Sequence, residues 1–517
     1  MTERESDVVI IGAGIAGLTA AYRIKKLFPK CSVLVLEAKD RVGGRTYTVD
    51  LTAANGTDKW DLGGQWVCRH QHHILWLLEE LGIETYKQWL DGKKLMQIGG
   101  HRIKSHNSNL PPLPLLSLLD LGRALDKIEN MVKQVPRDDP RLSKRANEWD
   151  NMTLEALRDQ VSYTHATRDT FDIAIAMISG IRPREISALH FLHYSSMAGS
   201  FENLFEADNG GAQEWKVKGG LQQVSELLTD KIGKENVILS EPVKSIDQTE
   251  ETSVLVTSET GQNYRCKYVI NASPLHCSVA MDYKPSIPLT RQSLANRSPV
   301  GHLFKFIITY KKAFWRENGF SGEILGNGGA PVIPGCDSGP IQLIYDSVTG
   351  YGNPALVGFY ANAWQWRLVD LEVRKASVLK HLTEFLGEEA ANPIHFIDKD
   401  WTIEPFNGGC PVNTATTSAL SFFFDGIRTP HDRVHWAGTE SATQWNGYLS
   451  GAVQSGMRAA DEVLTRLTPE IKLDGLLQEL DNKFPEPSSS SVRGAVVMVA
   501  GSAMVAGLCM FMYWYLT

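Results

Sequence analysis

With 517 residues, 43 % of them hydrophobic and 21 % charged, the chain can bury a large core, and a prior of roughly 150 residues per domain gives two or three domains. Its formal net charge of -7 comes from interspersed acids and bases, which leaves no electrostatic footprint for nucleic acid or another polyanion. The seven cysteines are odd in number, scattered and free of C-x-x-C spacing; they indicate neither a disulfide framework nor a structural zinc site, and a reducing compartment is the default.

The polar start "MTERESDVVI" has no apolar stretch for a cleavable signal and runs straight into a strand, Val8 to Ile11. Gly12-x-Gly14-x-x-Gly17 follows, then a helical pattern with apolar Ile15, Leu18, Tyr22 and Ile24. A second strand, "CSVLVLEAKD", ends in Glu37, 20 residues after Gly17. A glycine trio alone is weak, but strand, trio, helix, strand and acid together form the dinucleotide fingerprint. The glycines let backbone approach a pyrophosphate at a helix N-terminus, and the carboxylate accepts a ribose hydroxyl. "DRVGGRT" (Gly43, Gly44, Arg45) and "WDLGGQW" (Gly63, Gly64) add two glycine turns close behind Glu37. A plain nicotinamide site does not require them.

Further along, "LLDLGRALDKIENMVKQV" is helical in pattern. The segments "FDIAIAMISGI", "ALHFLHYSSMAGS" and "ALVGFYANAWQW" are apolar, aromatic and poor in charge, which suits an apolar pocket and equally an ordinary core. "GIRPREIS" offers Arg182 and Arg184 as a clamp for a carboxylate, or as a solvated loop. In "SPVGHLFKFIITYKKAFW" a strand buries Lys305 among alternating apolar residues, where an ionised lysine is unfavourable unless it snorkels. "PFNGGCPVNTAT" sets Cys410 between Gly-Gly and proline, bare flanks unlike the surroundings of the other cysteines. "RVHWAGTESATQWNGYLSGAVQSG" reads as a strand from Val434 to Ala437, a turn with Gly438 and Glu440, and an Ala/Gly-rich helix from about Leu449 whose N-terminus could stabilise negative charge. No Ser/His/Asp array or metal-ligand spacing stands out, and no metal site is expected.

After the Pro/Ser-rich "FPEPSSSS", Gly494 to Leu516 is a run of 23 uncharged residues, and about 20 apolar residues cross a hydrocarbon core of about 30 Å. Tyr513, Trp514 and Tyr515 suit the far interface. A tail anchor with the bulk facing the cytosol is expected. Ser502 with Ala506 and Ala503 with Gly507 repeat small residues at four-residue spacing, a face on which two copies could pair.

"IIGAGIAGL…LEAKDRVGGRT", "DLGGQWV", "VKGGLQQVSELL" and "HWAGTESATQWNGYLSGAVQSG" resemble the flavin-containing amine oxidase family over nearly the whole chain before the tail. The Gly-Gly-Cys segment and the anchor are more similar to the membrane-bound monoamine oxidases. The resemblance implies FAD, an amine substrate, O2 as acceptor, and imine or aldehyde, ammonia and hydrogen peroxide as products. It carries Glu37 to the adenosine ribose, Arg45 to the pyrophosphate region, Val243 to the adenine side, and Gly438 and Glu440 to the far side of the cofactor. Cys410 would form a thioether to the flavin 8α-methyl. Lys305 would hold a water against flavin N5 and serve reoxidation. Tyr448 would be one of two rings flanking the amine, with Trp401 or Phe406 filling in for the second where geometry allows, and Gln213 on the substrate side. The family usually has tyrosine after the cysteine; here it is Pro411, so substrate identity departs more than reaction type.

The expected fold is α/β: a Rossmann-like FAD-binding domain of the glutathione-reductase type (1-82, 215-300 and 405-466), a discontinuous substrate domain (83-214 and 301-404), a linker (467-492) and a C-terminal transmembrane helix (493-517). Monoamine oxidation, with the mitochondrial outer membrane as location, is the leading reading. A flavin oxidase of amino acids or polyamines and a non-catalytic membrane flavoprotein are the alternatives. The lack of an acidic cluster speaks against polyamines.

Overall fold

The computed structural model describes residues 3–98, 102–107 and 111–484. Strand Val8–Ile11 is wholly buried and β-branched along most of its length, and it occupies the middle of a five-stranded sheet. Across that sheet the order is Val237–Ile238, Val33–Leu36, Val8–Ile11, Tyr268–Asn271 and Val434–Trp436, with every neighbouring pair parallel. Strands buried on both faces read as continuous apolar runs rather than alternating ones, which is what "VVII" and "VLVL" show.

Helix Ile15–Leu27 packs against helix Leu449–Leu467 at very short range: a Cβ on Gly456 would meet the Ala16 carbonyl oxygen at 2.3 Å. Residues 440 positions apart thereby bring two helix N-termini to one end of the parallel sheet. On the opposite face, Val9, Ile11 and Leu36 share a core with Val243, Ile246, Val254 and Tyr264 of a second five-stranded sheet.

The remainder divides into two units. Helices Leu115–Val132, Leu154–Val161, His165–Ser179 and Ala188–Met197 surround a core that includes Trp149, Phe201 and Trp445. A seven-stranded mixed sheet contains strand Phe304–Thr309 between His395–Asp400 and Ala355–Tyr360, antiparallel to both. The hairpin Thr48–Ala53/Gly56–Asp61 ties this sheet to the glycine turns, with Trp60 and Leu62 packed against Ile307 and Val357.

The stretch after residue 467 remains attached to the body. Asp474 pairs with buried Arg23, helix Leu476–Asn482 buries Leu480, Asp481 accepts from Gln454, and the Arg137 guanidinium lies 4.0 Å over the Phe484 ring. Among the described residues no helix is long and apolar enough to cross a membrane. The run 494–516 lies outside the described residues.

Candidate active site

One cavity of about 620 Å³ runs from the end of the parallel sheet to the mixed sheet. At its first end, Gly12 adopts φ +99°, and Gly17 has no room for a side chain because a Cβ would meet the Gly12 carbonyl oxygen at 2.0 Å. Gly14 behaves differently: it lines the cavity, and a Cβ there would meet nothing within 4 Å. The same holds for Gly64, whereas at Gly63 a Cβ would strike the Arg45 carbonyl oxygen at 2.3 Å. Each turn thus has one glycine that lets the chain fold tightly and one that leaves open floor for a ligand. Gly43 and Gly44, at φ +109° and +58°, line the same space.

Two helix N-termini open onto this space, capped at Gly14 and Tyr448 with no side-chain hydrogen bond. Ile15 and Leu449 both line the cavity. Uncapped N–H groups with the positive end of a helix dipole suit a pyrophosphate at the first and developing negative charge at the second. Glu37 is buried and accepts from the Ala13 N–H at 2.6 Å and the Lys39 N–H at 3.0 Å, leaving lone pairs toward the cavity. Burial pushes its pKa up. Val243 lines the wall beside it. These residues fit an elongated dinucleotide.

The middle of the cavity couples residues from distant parts of the chain. Arg45 donates to both carboxylate oxygens of Glu440, at 2.7 and 3.1 Å, and to the Pro411 carbonyl at 2.7 Å. Burial works against the Glu440 carboxylate, but Arg45 holds its pKa below the usual range. Gly438 lines the cavity at φ +101°. Sequence reasoning assigned Arg45 and Glu440 to separate parts of the cofactor; the structure makes them one ion pair bracing the segment that carries Cys410. That segment is fixed at its other side by Glu404, which accepts from Lys39 at 2.7 Å, Arg41 at 3.1 Å and Lys399. Despite burial, the bonds from Lys39 and Lys399 pull its pKa down to about 2.

Cys410 is buried at the cavity wall. Gly409 before it (φ +149°) lies so close to the segment leading into strand Phe304–Thr309 that a Cβ would meet the Gly301 carbonyl oxygen at 2.4 Å. Burial pushes the thiol pKa up to about 12, against the opposing pull of Arg45 and Lys305. Lys305, 2 % exposed, donates to the Asp61 carbonyl at 2.5 Å, the Gly63 carbonyl at 2.9 Å and Gln65 Oε1 at 2.6 Å. Burial pushes its pKa down to about 7. Trp401 closes the neighbouring wall and donates its indole N–H to the Leu62 carbonyl at 3.0 Å.

The far end of the cavity is aromatic. Tyr448 lies edge-on to Trp445, with ring centroids 5.2 Å apart, and 6.2 Å from Tyr194 at a tilt of 33°. Burial pushes both phenols above their ordinary range. Tyr194 comes from helix Ala188–Met197 and is held against Gly447, where a Cβ would meet its hydroxyl at 2.7 Å. Pro411 lines the cavity, as does Gln213, whose Oε1 is buried without a partner among the described residues. Tyr194 was not singled out from the sequence, since it sits in an apolar helix whose other residues are core. Of the three apolar segments, Met177, Ile178, Tyr194 and Phe359 reach the cavity, most of the rest packs into the cores, and Trp364 is exposed. Arg182 pairs with Glu185 at 3.0 Å on the surface, and neither it nor Arg184 lines the cavity.

Residues 15–464 match the flavin containing amine oxidoreductase family. The chain belongs to that family. It is 35 % identical over 490 residues to amine oxidase [flavin-containing] A of Canis lupus familiaris, covering 94 % of this chain and 89 % of the relative. It is also 35 % identical over 463 residues to amine oxidase [flavin-containing] B of Homo sapiens, covering 89 % and 85 %. Among solved structures, a putrescine oxidase bound to putrescine superposes with a TM-score of 0.82 at 27 % identity, covering 90 % of this chain and all of that one. Cyclohexylamine oxidase from Brevibacterium oxydans gives 0.82 at 28 %, covering 89 % and 99 %. As a member of this family the chain is an FAD-dependent amine oxidase, which deaminates amines oxidatively with O2.

Proposed function

We propose that this amine oxidase acts on small apolar monoamines, with FAD held at Gly14 and Glu37 toward one end of the cavity, passing the Gly63–Gly64 turn, and tied by a thioether to Cys410. The observation that carries the substrate class is the distribution of charge. The carboxylates lining the cavity, Glu37, Glu241 and Glu259, gather at the ribose end, and Glu440, nearer the tyrosines, is already neutralised by Arg45. A polyamine would bring further cations to a wall with nothing to pair them. An amino acid would need a free cation, yet Lys39, Arg45 and Lys305 are already engaged by Glu404, Glu440 and the acceptors at Lys305. Pieces 1-82, 215-300 and 405-466 serve the cofactor in this reading, and 83-214 with 301-404 serve the substrate.

Bound FAD supplies the hydride-accepting and oxygen-reducing chemistry. The chain's part is to position and desolvate. Tyr448 and Tyr194 form an aromatic corner, Pro411 an apolar wall, and the unpaired Gln213 Oε1 accepts an N–H of the neutral amine. Trp401 excludes water, and Lys305 places positive charge where oxygen is reduced. Anaerobic bleaching of the flavin spectrum tests the class: arylalkyl monoamines should bleach it, and bleaching confined to diamines or amino acids would overturn the reading.

The rings of Tyr194 and Tyr448 touch, so the amine lies against their corner rather than between two parallel faces. Tyr194→Ala is expected to lower kcat/KM for aromatic amines about tenfold, the scale of one aromatic contact, with less effect on short aliphatic amines. Pro411→Tyr should shift preference between the two classes. Specificity profiles unchanged in both variants would show that these positions do not meet substrate.

The reading extends to location. The uncharged run 494–516 would fix the chain to an intracellular membrane, the mitochondrial outer membrane on its cytosolic side, and its small-residue face would pair two copies. A chain ending at Ser491 is expected to fractionate as soluble protein. If it stays membrane-bound, attachment lies elsewhere, for instance at the exposed Leu115 and Leu116.

A further inference from the structure

Gln65 is a buried polar side chain at the cavity wall, 4 % exposed, one residue beyond the Gly63–Gly64 turn. Its Oε1 accepts from Lys305 Nζ at 2.6 Å. A lysine ammonium has only donors, so this bond decides which end of the amide faces it. The oxygen points to Lys305 and the Nε2 end points away. That Nε2, with its two N–H groups, has no partner among the described residues. A buried donor left without an acceptor keeps its full desolvation penalty. The carbonyls of Asp61 and Gly63 in the same turn already accept from Lys305. Gly64 alongside faces open space, where a Cβ would meet nothing within 4 Å. The turn therefore lines the cavity with bare backbone at Gly64 and, next to it, holds one unsatisfied donor buried in the wall.

We infer that Gln65 contacts the cofactor: its amide N–H donates to an acceptor atom on the edge of the bound flavin ring, directly or through one water, while its carbonyl holds Lys305 in place. This deepens the reading of the same cavity as the flavin site, and FAD content is measured separately so that the two can fail separately. Two consequences follow from elementary electrostatics. Reduction adds negative charge to the ring, so a donor at its edge stabilises the reduced form and raises the midpoint potential. The carbonyl in turn is one of three acceptors favouring the Lys305 ammonium, whose other charged or titratable neighbours are Asp61, Cys410 and Lys216.

The test compares the full-length holoenzyme with Gln65→Met and Gln65→Glu, measuring FAD per chain, midpoint potential and the pH dependence of reoxidation by O2 after chemical reduction. Methionine keeps the length but has neither N–H nor carbonyl; glutamate keeps the acceptor for Lys305 and removes the N–H. With FAD content unchanged, both are expected to lower the potential by the equivalent of about tenfold in the reduction equilibrium, about 30 mV for a two-electron couple. The reoxidation inflection should move in opposite directions, down in Gln65→Met and up in Gln65→Glu. A purely structural glutamine would not produce that split. Wild-type potential in a loaded Gln65→Glu enzyme overturns the contact, and that variant alone decides if Gln65→Met fails to load FAD.

Discussion

Replacing Lys305 by Met is expected to slow reoxidation of the reduced flavin by oxygen about 100-fold, the scale of removing one preorganised electrostatic partner, in a protein that still folds and still holds FAD. Methionine fills the same apolar channel between Trp66 and Phe359, each 5.8 Å from the ammonium. The charge is what disappears. Lys305 is poised between opposing influences: burial pushes its pKa down to about 7, while three acceptors call for the three N–H donors of the ammonium. Oxygen reduction builds negative charge, which the ammonium stabilises. The wild-type rate should therefore fall as pH rises through about 7, and the Met variant should show no such inflection. The measurement is stopped-flow mixing of pre-reduced enzyme with oxygen, free of amine, so that substrate protonation does not enter. Stability has its own sign. A lysine near 7 when folded and at its ordinary 10.5 when unfolded binds fewer protons in the folded state across that interval. Folding is penalised below it, and stability rises with pH through it, by at most about 1.4 kcal/mol per pH unit. Lys305→Met should lack this rise. Equal oxygen rates and equal pH profiles in both proteins would remove Lys305 from the chemistry.

The glycine-turn end of the cavity was legible in sequence because its physics is local. Gly12, Gly14 and Gly17 encode a turn, and Glu37 ends the next strand at a spacing set by one helix and one loop. Lys305 was legible because a charge in an apolar strand breaks a pattern. Arg45 and Glu440 were visible singly, but their pairing joins residues 395 positions apart, and nothing in either segment encodes the other. Tyr194 was hidden for a different reason: helix Ala188–Met197 is buried on all sides, so periodicity does not single out the residue that meets the cavity. Gln65 was hidden because its role depends on which end of an amide faces Lys305, a three-dimensional fact. The docking of residues 474–484 escaped composition as well, since it depends on Arg23 reaching Asp461 and Asp474 together.

Cys410→Ala is expected to abolish retention of flavin through acid precipitation, while the native variant still binds FAD. Wild-type precipitate should stay yellow and the variant's supernatant should carry the free cofactor. The expectation rests on access and charge. Gly408 and Gly409 keep the approach bare, and Gly409 could not be replaced without striking Gly301. A buried thiol at about 12 is a poor nucleophile, since only the thiolate reacts. Arg45 and Lys305 both favour the thiolate, and Arg45 is anchored on Glu440 and the Pro411 carbonyl immediately after the cysteine. Replacing one C–H and one S–H by a C–S bond releases two electrons and two protons, which O2 accepts, so attachment needs no reagent beyond those of turnover. The noncovalent contacts proposed at Gly14 and Glu37 lie toward the other end of the cavity and are untouched by the substitution. Native Cys410→Ala should therefore keep FAD through gel filtration and lose it only on unfolding. Free flavin in the wild-type acid supernatant would remove the thioether and leave the rest of the site intact.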